Sequence, residues 1–110
     1  MATANNLRVS ARAALIIKTE AKKLRSNEAI ALRYMPTFTN ADGTTVAEFL
    51  PGYTIDRVKQ QDFSDPWMLA RLPGGTAIYF VPRFSWRDSE SYLLDRESGY
   101  TFSIRPDRGS

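Results

Sequence analysis

Carboxylates repeat at a spacing of two residues in the last quarter of the chain, and paired carboxylates are one arrangement that performs acid–base chemistry. Asp88 and Glu90 form one pair, and Asp95 and Glu97 form another. Such pairs transfer protons efficiently only where their environments separate the two pKa values, for example by apolar burial of one member. The flanking sequence does not indicate that burial, so we predict no catalytic residues here.

The chain contains neither cysteine nor histidine. The absence of thiols excludes disulfides, cysteine nucleophiles and iron–sulfur ligation, and the absence of imidazole removes the commonest general base. The serines lack a G-x-S-x-G context, and no Asp-rich loop has the spacing of a hard-cation site. We therefore predict a protein that is not an enzyme and that uses no cofactor and no metal.

Arginine and aromatic residues alternate in a segment that follows the strongest predicted strand. They are Arg83, Phe84, Trp86 and Arg87. This composition is typical of protein-interface hot spots and also of platforms that stack single-stranded nucleic acid. An exposed Trp86 would favour either use, and a buried Trp86 would favour neither. We predict that this segment binds a partner.

Positive charge is concentrated near the N-terminus. The net charge is +3, but residues 1–33 carry +5 and residues 34–110 carry −2. Five cations fall in or next to one predicted helix: Arg12, Lys18, Lys22, Lys23 and Arg25. They are candidates for phosphate contacts, whose strength depends steeply on salt. The alternative is a solvated helix face that keeps the protein in solution.

One helix is predicted to carry these cations. Ser10 is a favourable N-cap, and Ala14, Ile17, Ala21 and Leu24 recur every three or four residues. This spacing predicts a helix from about Ala11 to about Arg25, which ends at the Ser26-Asn27 pair.

The apolar period changes to two after the helix, which predicts strands. Ile30, Leu32 and Tyr34 should form the buried face of one strand, and the run from Thr76 to Pro82 should form a central strand covered on both faces. The segments 91–95 and 99–104 should pair as a hairpin, joined by Arg96-Glu97-Ser98 with Gly99 opening the second strand. By alternation, Tyr100, Phe102 and Ile104 should share the buried face of that strand. The further predicted strands are Leu7 to Val9, Thr44 to Leu50, Tyr53 to Val58 and, as a strand or a helical turn, Trp67 to Leu72.

The fold predicted from these elements is α+β, with one N-terminal helix packed on a mostly antiparallel sheet of six or seven short strands. The chain length predicts a single domain over residues 1–110, with residues 1–6 frayed. No apolar run approaches the ~20 residues that span a bilayer, and the N-terminus lacks the order of a secretory signal. We expect a cytoplasmic protein with no membrane partner.

The opening LRVSARAALIIKTEAKKL, the strand IALRY and the closing YLLD with GYTFSIRP resemble the HesB/IscA-like iron–sulfur carriers. That family opens with a short strand, a serine and an amphipathic helix, and closes with a hairpin ending in G-F-x-F-x-N-P. The resemblance implies a HesB-like β-rich fold and a retained protein-docking surface. It implies no cluster chemistry, because the middle loop from Thr37 to Gly43 and the C-terminal end both lack the family's cysteines.

Two functions follow from these observations. The favoured one is a small adaptor or regulatory domain that binds another protein through the segment from Arg83 to Arg87, together with an edge of its sheet. The other is nucleic-acid binding through the basic helix.

Overall fold

The structure, a computed structural model, describes residues 2–35, 41–42, 52–99 and 101–107. It contains one helix, α1, and eight strands, β1 to β8, within those ranges. Their bounds are β1 Ala2–Thr3, β2 Leu7–Val9, α1 Ala11–Ala21, β3 Glu28–Met35, β4 Gly52–Lys59, β5 Met68–Arg71, β6 Ala77–Phe80, β7 Tyr92–Ser98 and β8 Thr101–Pro106. The predicted strand from Thr44 to Leu50 and the face assigned to Tyr100 lie outside the described residues.

Helix α1 begins where the sequence predicts and ends four residues earlier. Ser10 is confirmed as the N-cap, since its Oγ accepts a hydrogen bond from the backbone N–H of Ala13 at 3.2 Å. The predicted end at Arg25 is wrong because the chain tightens after Ala21. There the N–H of Leu24 bonds to the carbonyl three residues back, at 3.2 Å, which is the pattern of a 3₁₀ turn.

The α+β class is confirmed, but the described sheet has eight strands and is mixed, so the predicted count and the antiparallel character are both wrong. The strand order is β1-β5-β6-β3-β4-β8-β7-β2. Of the seven neighbouring pairs, β1 with β5, β2 with β7 and β3 with β6 are parallel. Several strands that are neighbours in the sheet are far apart in the sequence. Such strands are not joined by a short turn, so the sequence carries no turn signal that would predict their pairing.

The sheet curls into a half-barrel whose two edge strands are joined by a short piece of chain. β1 pairs with β5 at one edge and β2 pairs with β7 at the other, and only residues 4–6 connect them. From Thr3 to Leu7 the chain spans at most about 14 Å when fully extended, so the two edges must lie close together. The sequence predicts fraying for residues 1–6; in the structure Ala2–Thr3 forms β1, and Asn6 bonds to the segment before β7.

The core lies between α1 and the concave face of the sheet. Its fully buried members include Ile17 on the helix and Ile30, Leu32 and Phe80 on the strands. The prediction that β3 has only one buried face is wrong, because residues 29–32 are all buried. β3 is an interior strand between β4 and β6, and Phe63 stacks on Tyr79, the β6 residue that pairs with Ala31.

Tyr34 and β6 also depart from the prediction. Tyr34 was expected in the core, yet it is 36% exposed because β3 leaves the core before its last residues. β6 is an interior strand as predicted, but its faces alternate between buried and half-buried, so it is not fully covered on both.

The C-terminal hairpin is confirmed, with its turn two residues later than predicted. β7 continues to Ser98 through an irregularity in register between Arg96 and Ser98, and Gly99 takes a positive φ of 52° at the turn. Phe102 and Ile104 are buried as the alternation predicted.

Candidate interaction surface

The segment from Val81 to Ser91, which we call the β6–β7 loop, is bonded to the N-terminal segment by the side chain of Asn6. The Oδ1 atom of Asn6 accepts a hydrogen bond from the indole Nε1–H of Trp86 at 3.0 Å. Its Nδ2 donates to the carbonyls of Arg87, at 2.9 Å, and Glu90, at 2.6 Å. Three bonds from one asparagine therefore fix the path of the loop against the N-terminal segment.

The two aromatic rings of the loop pack inward. The ring centroid of Trp86 lies 4.0 Å from that of Tyr92 and 5.6 Å from that of Phe80, and Phe84 lies 5.1 Å from Tyr92. Both Phe84 and Trp86 are half-buried against the core. Trp86 is thus neither fully exposed, which would favour a binding role, nor fully buried, which would not. Its indole N–H already donates a hydrogen bond to Asn6. These rings stabilise the loop and offer only part of their surface to a partner.

Arg83 turns away from these rings and lies over Tyr34. Its guanidinium carbon is 4.3 Å from the centroid of the Tyr34 ring, which is a cation–π geometry. Tyr34 in turn packs edge-on against Tyr53 at 5.6 Å. Burial raises the pKa of Tyr53, so its hydroxyl stays protonated and donates to the carbonyl of Val81 at 3.0 Å. The start of the loop and the end of β3 are thereby tied together.

A pocket of about 330 Å³ lies beside this stack, and we call it the Arg83–Tyr34 pocket. Its lining residues are Leu32, Arg33, Tyr34, Trp67, Val81 and Arg83. Arg33 forms an ion pair with Asp56, with 2.9 Å between Nε and Oδ2. The pocket therefore combines apolar and aromatic walls with two arginines, one of which has a carboxylate partner. A partner carrying a carboxylate beside an apolar group matches this lining.

Arg87 does not line the Arg83–Tyr34 pocket. It lines a separate hollow of about 410 Å³ with Phe84, Ser85, Glu90, Tyr92 and Pro106. The four residues predicted to bind a partner therefore comprise two exposed arginines that line different pockets and two half-buried rings. The sequence could not indicate Tyr34 and Trp67 as part of this surface, because they come from other strands and loops.

The two carboxylate pairs differ from each other in the structure. Asp88 and Glu90 are exposed, whereas Asp95 is only 4% exposed. The Arg12 guanidinium holds the pKa of Asp95 far below its usual range, with Ser10 and the backbone N–H of Arg96 adding to the effect against the opposing influence of burial. An ionised carboxylate bound by arginines is the arrangement of a structural ion cluster.

The basic helix is partly neutralised. Arg12 bonds to Asp95 at 2.7 Å, and the Nζ atom of Lys23 lies 3.2 Å from Glu20 Oε1. In the part of the chain that the structure describes, three of the predicted cations make no ion pair: Lys18, Lys22 and Arg25. They lie at and just beyond the C-terminal end of α1.

Comparison with known proteins leaves the function open. No family model matches the sequence, and no curated protein or solved structure is significantly similar to it. The resemblance to HesB/IscA-like carriers therefore stays a prediction. Over the described ranges, no helix is long and apolar enough to cross a membrane, and no three acidic side chains are grouped as metal ligands.

Proposed function

We propose that this protein is a small, non-enzymatic interaction domain, an adaptor or regulator, that binds another protein through the β6–β7 loop. The observation that supports this most is the stacking of Arg83 over the exposed Tyr34 at the rim of an apolar pocket. Arginine and tyrosine are the residue types that dominate binding energy at interfaces when they lie beside well-packed pockets.

The fixed loop adds to this argument. Asn6 and the packed rings hold the backbone between Val81 and Arg87 before any partner arrives. A preordered loop loses less conformational entropy on binding, so more of the contact energy appears as affinity. The exposed Arg83 and Arg87 would contact the partner, and the packed rings of Phe84 and Trp86 would keep the loop that carries them in position.

An alanine scan from Arg83 to Arg87, with Tyr34→Phe and Tyr34→Ala added, tests the proposal. Each variant is immobilised and used to capture partners from the native lysate, with quantitative mass spectrometry as the readout. Arg83→Ala and Tyr34→Ala should reduce capture of the specific partner at least tenfold, and Tyr34→Phe should retain most of it. Arg57→Ala removes an exposed arginine of β4 and is the matched control.

Thermal denaturation of each variant separates binding from folding. Phe84→Ala and Trp86→Ala should lose both stability and capture, whereas Arg83→Ala should keep its melting temperature. A scan that leaves capture unchanged in well-folded Arg83 and Tyr34 variants would contradict the proposal.

Nucleic-acid binding is the second candidate, favoured by three cations near the end of α1 that form no ion pair with any residue in the described ranges. Lys18 is in the last turn of α1, Lys22 is its C-cap, and Arg25 follows three residues later. Mobility-shift titrations with single- and double-stranded DNA and RNA at two salt concentrations test it. A shift that weakens with salt and is lost in the Lys18→Ala, Lys22→Ala double variant supports this function. The absence of any shift at low salt removes it.

We also propose a HesB-like ancestry in which cluster chemistry has been lost. The order of short strand, serine-capped helix and closing hairpin supports it. Reconstitution with iron and sulfide should leave the protein colourless, and stable brown protein would contradict the proposal.

A further inference from the structure

Strand β2 is paired on one side only among the described strands. The carbonyl of Asn6 accepts from the N–H of Tyr92 at 2.9 Å, and the N–H of Ser10 donates to the carbonyl of Leu94 at 3.0 Å. Successive residues of a strand direct their backbone groups to alternate sides. Since residues 6 and 10 face β7, the N–H and C=O groups of Leu7 and Val9 face the open side.

A groove of about 600 Å³ lies along this open side. Its lining residues are Asn5, Asn6, Leu7, Arg8, Val9, Arg71, Leu72, Pro73, Ser91 and Asp107. The opposite wall is the end of β5. β1 covers β5 only at Met68 and Leu69, where the N–H of Ala4 bonds to the carbonyl of Leu69 at 2.7 Å. By the same alternation, the backbone groups of Arg71 also face the groove.

The side chains around the groove separate into an apolar inner side and a charged outer side. Leu7 and Val9 pack against the core, and Leu72 is 3% exposed. Arg8 and Arg71 are exposed on the outer side. Arg8 bonds to Asp107 at 2.8 Å, so the outer side carries one more positive than negative charge, at Arg71.

We propose that this groove binds an extended segment of a partner protein, which adds as a strand to the open edge of β2. The segment should alternate apolar residues, directed inward, with acidic residues directed towards Arg71. Main-chain bonds to Leu7 and Val9 would supply affinity, and the alternation would supply specificity. The inference rests on the proposed protein-binding function and names a binding mode and a partner chemistry for it.

A second copy of this chain fits the groove less well than a separate segment. A two-fold symmetric contact requires a surface that is complementary to itself. Here the open edge lies inside a concave site, and two concave sites cannot fill each other.

The test uses the full chain and a synthetic peptide probe. The probe is a seven-residue peptide that alternates valine and aspartate, blocked at both ends and labelled with fluorescein. Two control peptides are a block arrangement of the same residues and an alternating valine–lysine peptide. Fluorescence anisotropy should show saturable binding of the valine–aspartate peptide alone. Amide hydrogen exchange should show Leu7 and Val9 exchanging fast in the free protein and at least tenfold more slowly with the peptide bound.

Two variants link this binding to the groove. Leu7→Pro removes a donor that faces the open side and makes no bond to β7, so the edge should tolerate the proline while peptide affinity falls at least tenfold. Arg71→Glu should weaken the valine–aspartate peptide at least threefold, and Arg57→Glu, outside the groove, should have no effect. If Leu7→Pro fails to fold, Arg71→Glu and the exchange data still decide.

The outcomes separate this inference from the proposed function. The proposal that the groove binds a peptide is contradicted if binding does not saturate, or if the peptide protects the β6–β7 loop from exchange and not Leu7 and Val9. Neither result would contradict the proposal that the β6–β7 loop binds a partner. Protection of Leu7 and Val9 by concentration-dependent dimerisation overturns the groove proposal in favour of a second copy. An Arg83→Ala variant that no longer captures its partner from the lysate but still binds the peptide would support peptide binding in the groove. It would also show that the groove and the β6–β7 loop bind independently.

Discussion

Asp95 is the buried charge on which the junction between α1 and the terminal hairpin depends. Its carboxylate accepts from Ser10 Oγ at 2.6 Å, from Arg12 at 2.7 and 2.8 Å, and from the N–H of Arg96 at 2.9 Å, and Arg105 lies at 3.4 Å. The same serine caps α1, so one carboxylate joins the start of the helix to β7 and β8. Removing it would leave Arg12 and the Ser10 hydroxyl without their acceptor, whereas Arg105 would keep its ion pair with Glu97 at 2.8 Å.

We expect Asp95→Ala to lower the free energy of unfolding by about 2–4 kcal/mol, because a hydrogen-bonded buried carboxylate is lost together with its network. Asp95→Asn keeps the shape and should cost less. Urea denaturation of both variants measures the loss, with Asp88→Ala, at an exposed position of the β6–β7 loop, as the control. A cost for Asp95→Ala no larger than that of the control would contradict the ion cluster.

The same carboxylate should make stability depend on pH in a known direction. Its pKa in the folded protein is depressed below the ordinary value of 3.8, so the unfolded state binds more protons at low pH. The contribution of Asp95 is therefore complete above about pH 5 and declines as the pH falls through and below the ordinary value. Denaturation between pH 6 and pH 2.5 should show a steeper loss for the wild type than for Asp95→Asn. Equal slopes would show that Asp95 does not provide the linkage.

Asn6 gives a second prediction for a single residue. Asn6→Ala removes three side-chain hydrogen bonds from the β6–β7 loop, and we expect it to release Trp86 towards solvent. In a Trp67→Phe background, the emission of Trp86 should shift to the red and be quenched more readily by iodide. Asn5→Ala, at a neighbouring exposed position, is the control. Unchanged emission would mean that ring packing alone holds the loop.

Elements with local signals could be predicted from the sequence, and their neighbours in the sheet could not. Ser10 and the apolar spacing identified the start of α1, and the alternation around Phe102 identified the hairpin. The parallel pairing of β3 with β6 joins residues nearly fifty positions apart, and no turn chemistry reports such a contact. The early end of the helix depends on how its last carbonyls are bonded, which apolar spacing does not specify.

For the candidate surface, too, the sequence indicated residues that are close together in the chain but not those that come from other strands. The composition of the β6–β7 loop identified Arg83, but its ring partner Tyr34 lies on β3 and was expected in the core. Asp95 looked like one member of an exposed carboxylate pair, because its burial depends on arginines from α1 and β8.

The contact between strands β4 and β8 gives a prediction about how secondary-structure elements pack. Among the described residues, their pairing covers Tyr53 with Phe102 and Thr54 with Thr101, and Gly52 precedes Tyr53 on β4. A Cβ at position 52 would lie 2.7 Å from Thr101 Cγ2 and 2.8 Å from the carbonyl oxygen of Phe102. Gly52→Ala should therefore destabilise the fold by about 1–3 kcal/mol, because the backbone of β8 must move.

Adding Thr101→Ser, which deletes the methyl group in the closer contact, should restore part of this loss. The carbonyl contact would remain, so full rescue is not expected. Urea denaturation of the single and double variants measures both effects. If Gly52→Ala leaves the free energy of unfolding unchanged, β4 and β8 can move apart at this point without cost.

At the scale of the whole molecule, the N-terminal segment decides how far the sheet closes. Residues 2–4 pair with β5, and residues 6–10 pair with β7, so one piece of chain connects both edges of the half-barrel. An unpaired, flat strand edge invites association with other chains, and this segment covers part of one edge while leaving the groove beside the other.

A matched pair of proline variants tests that role. The N–H of Ala4 donates to Leu69, whereas by alternation the N–H of Thr3 faces away from β5. Ala4→Pro should detach β1, lower the melting temperature by about 5–10 °C and expose the edge of β5. Light scattering after size-exclusion chromatography should then show association that grows with concentration. Thr3→Pro should remain monomeric and close to wild-type stability, since it removes no bond to β5. If both prolines behave alike, the strand does not close the edge of the sheet, and the curl must be maintained by the core and α1 alone.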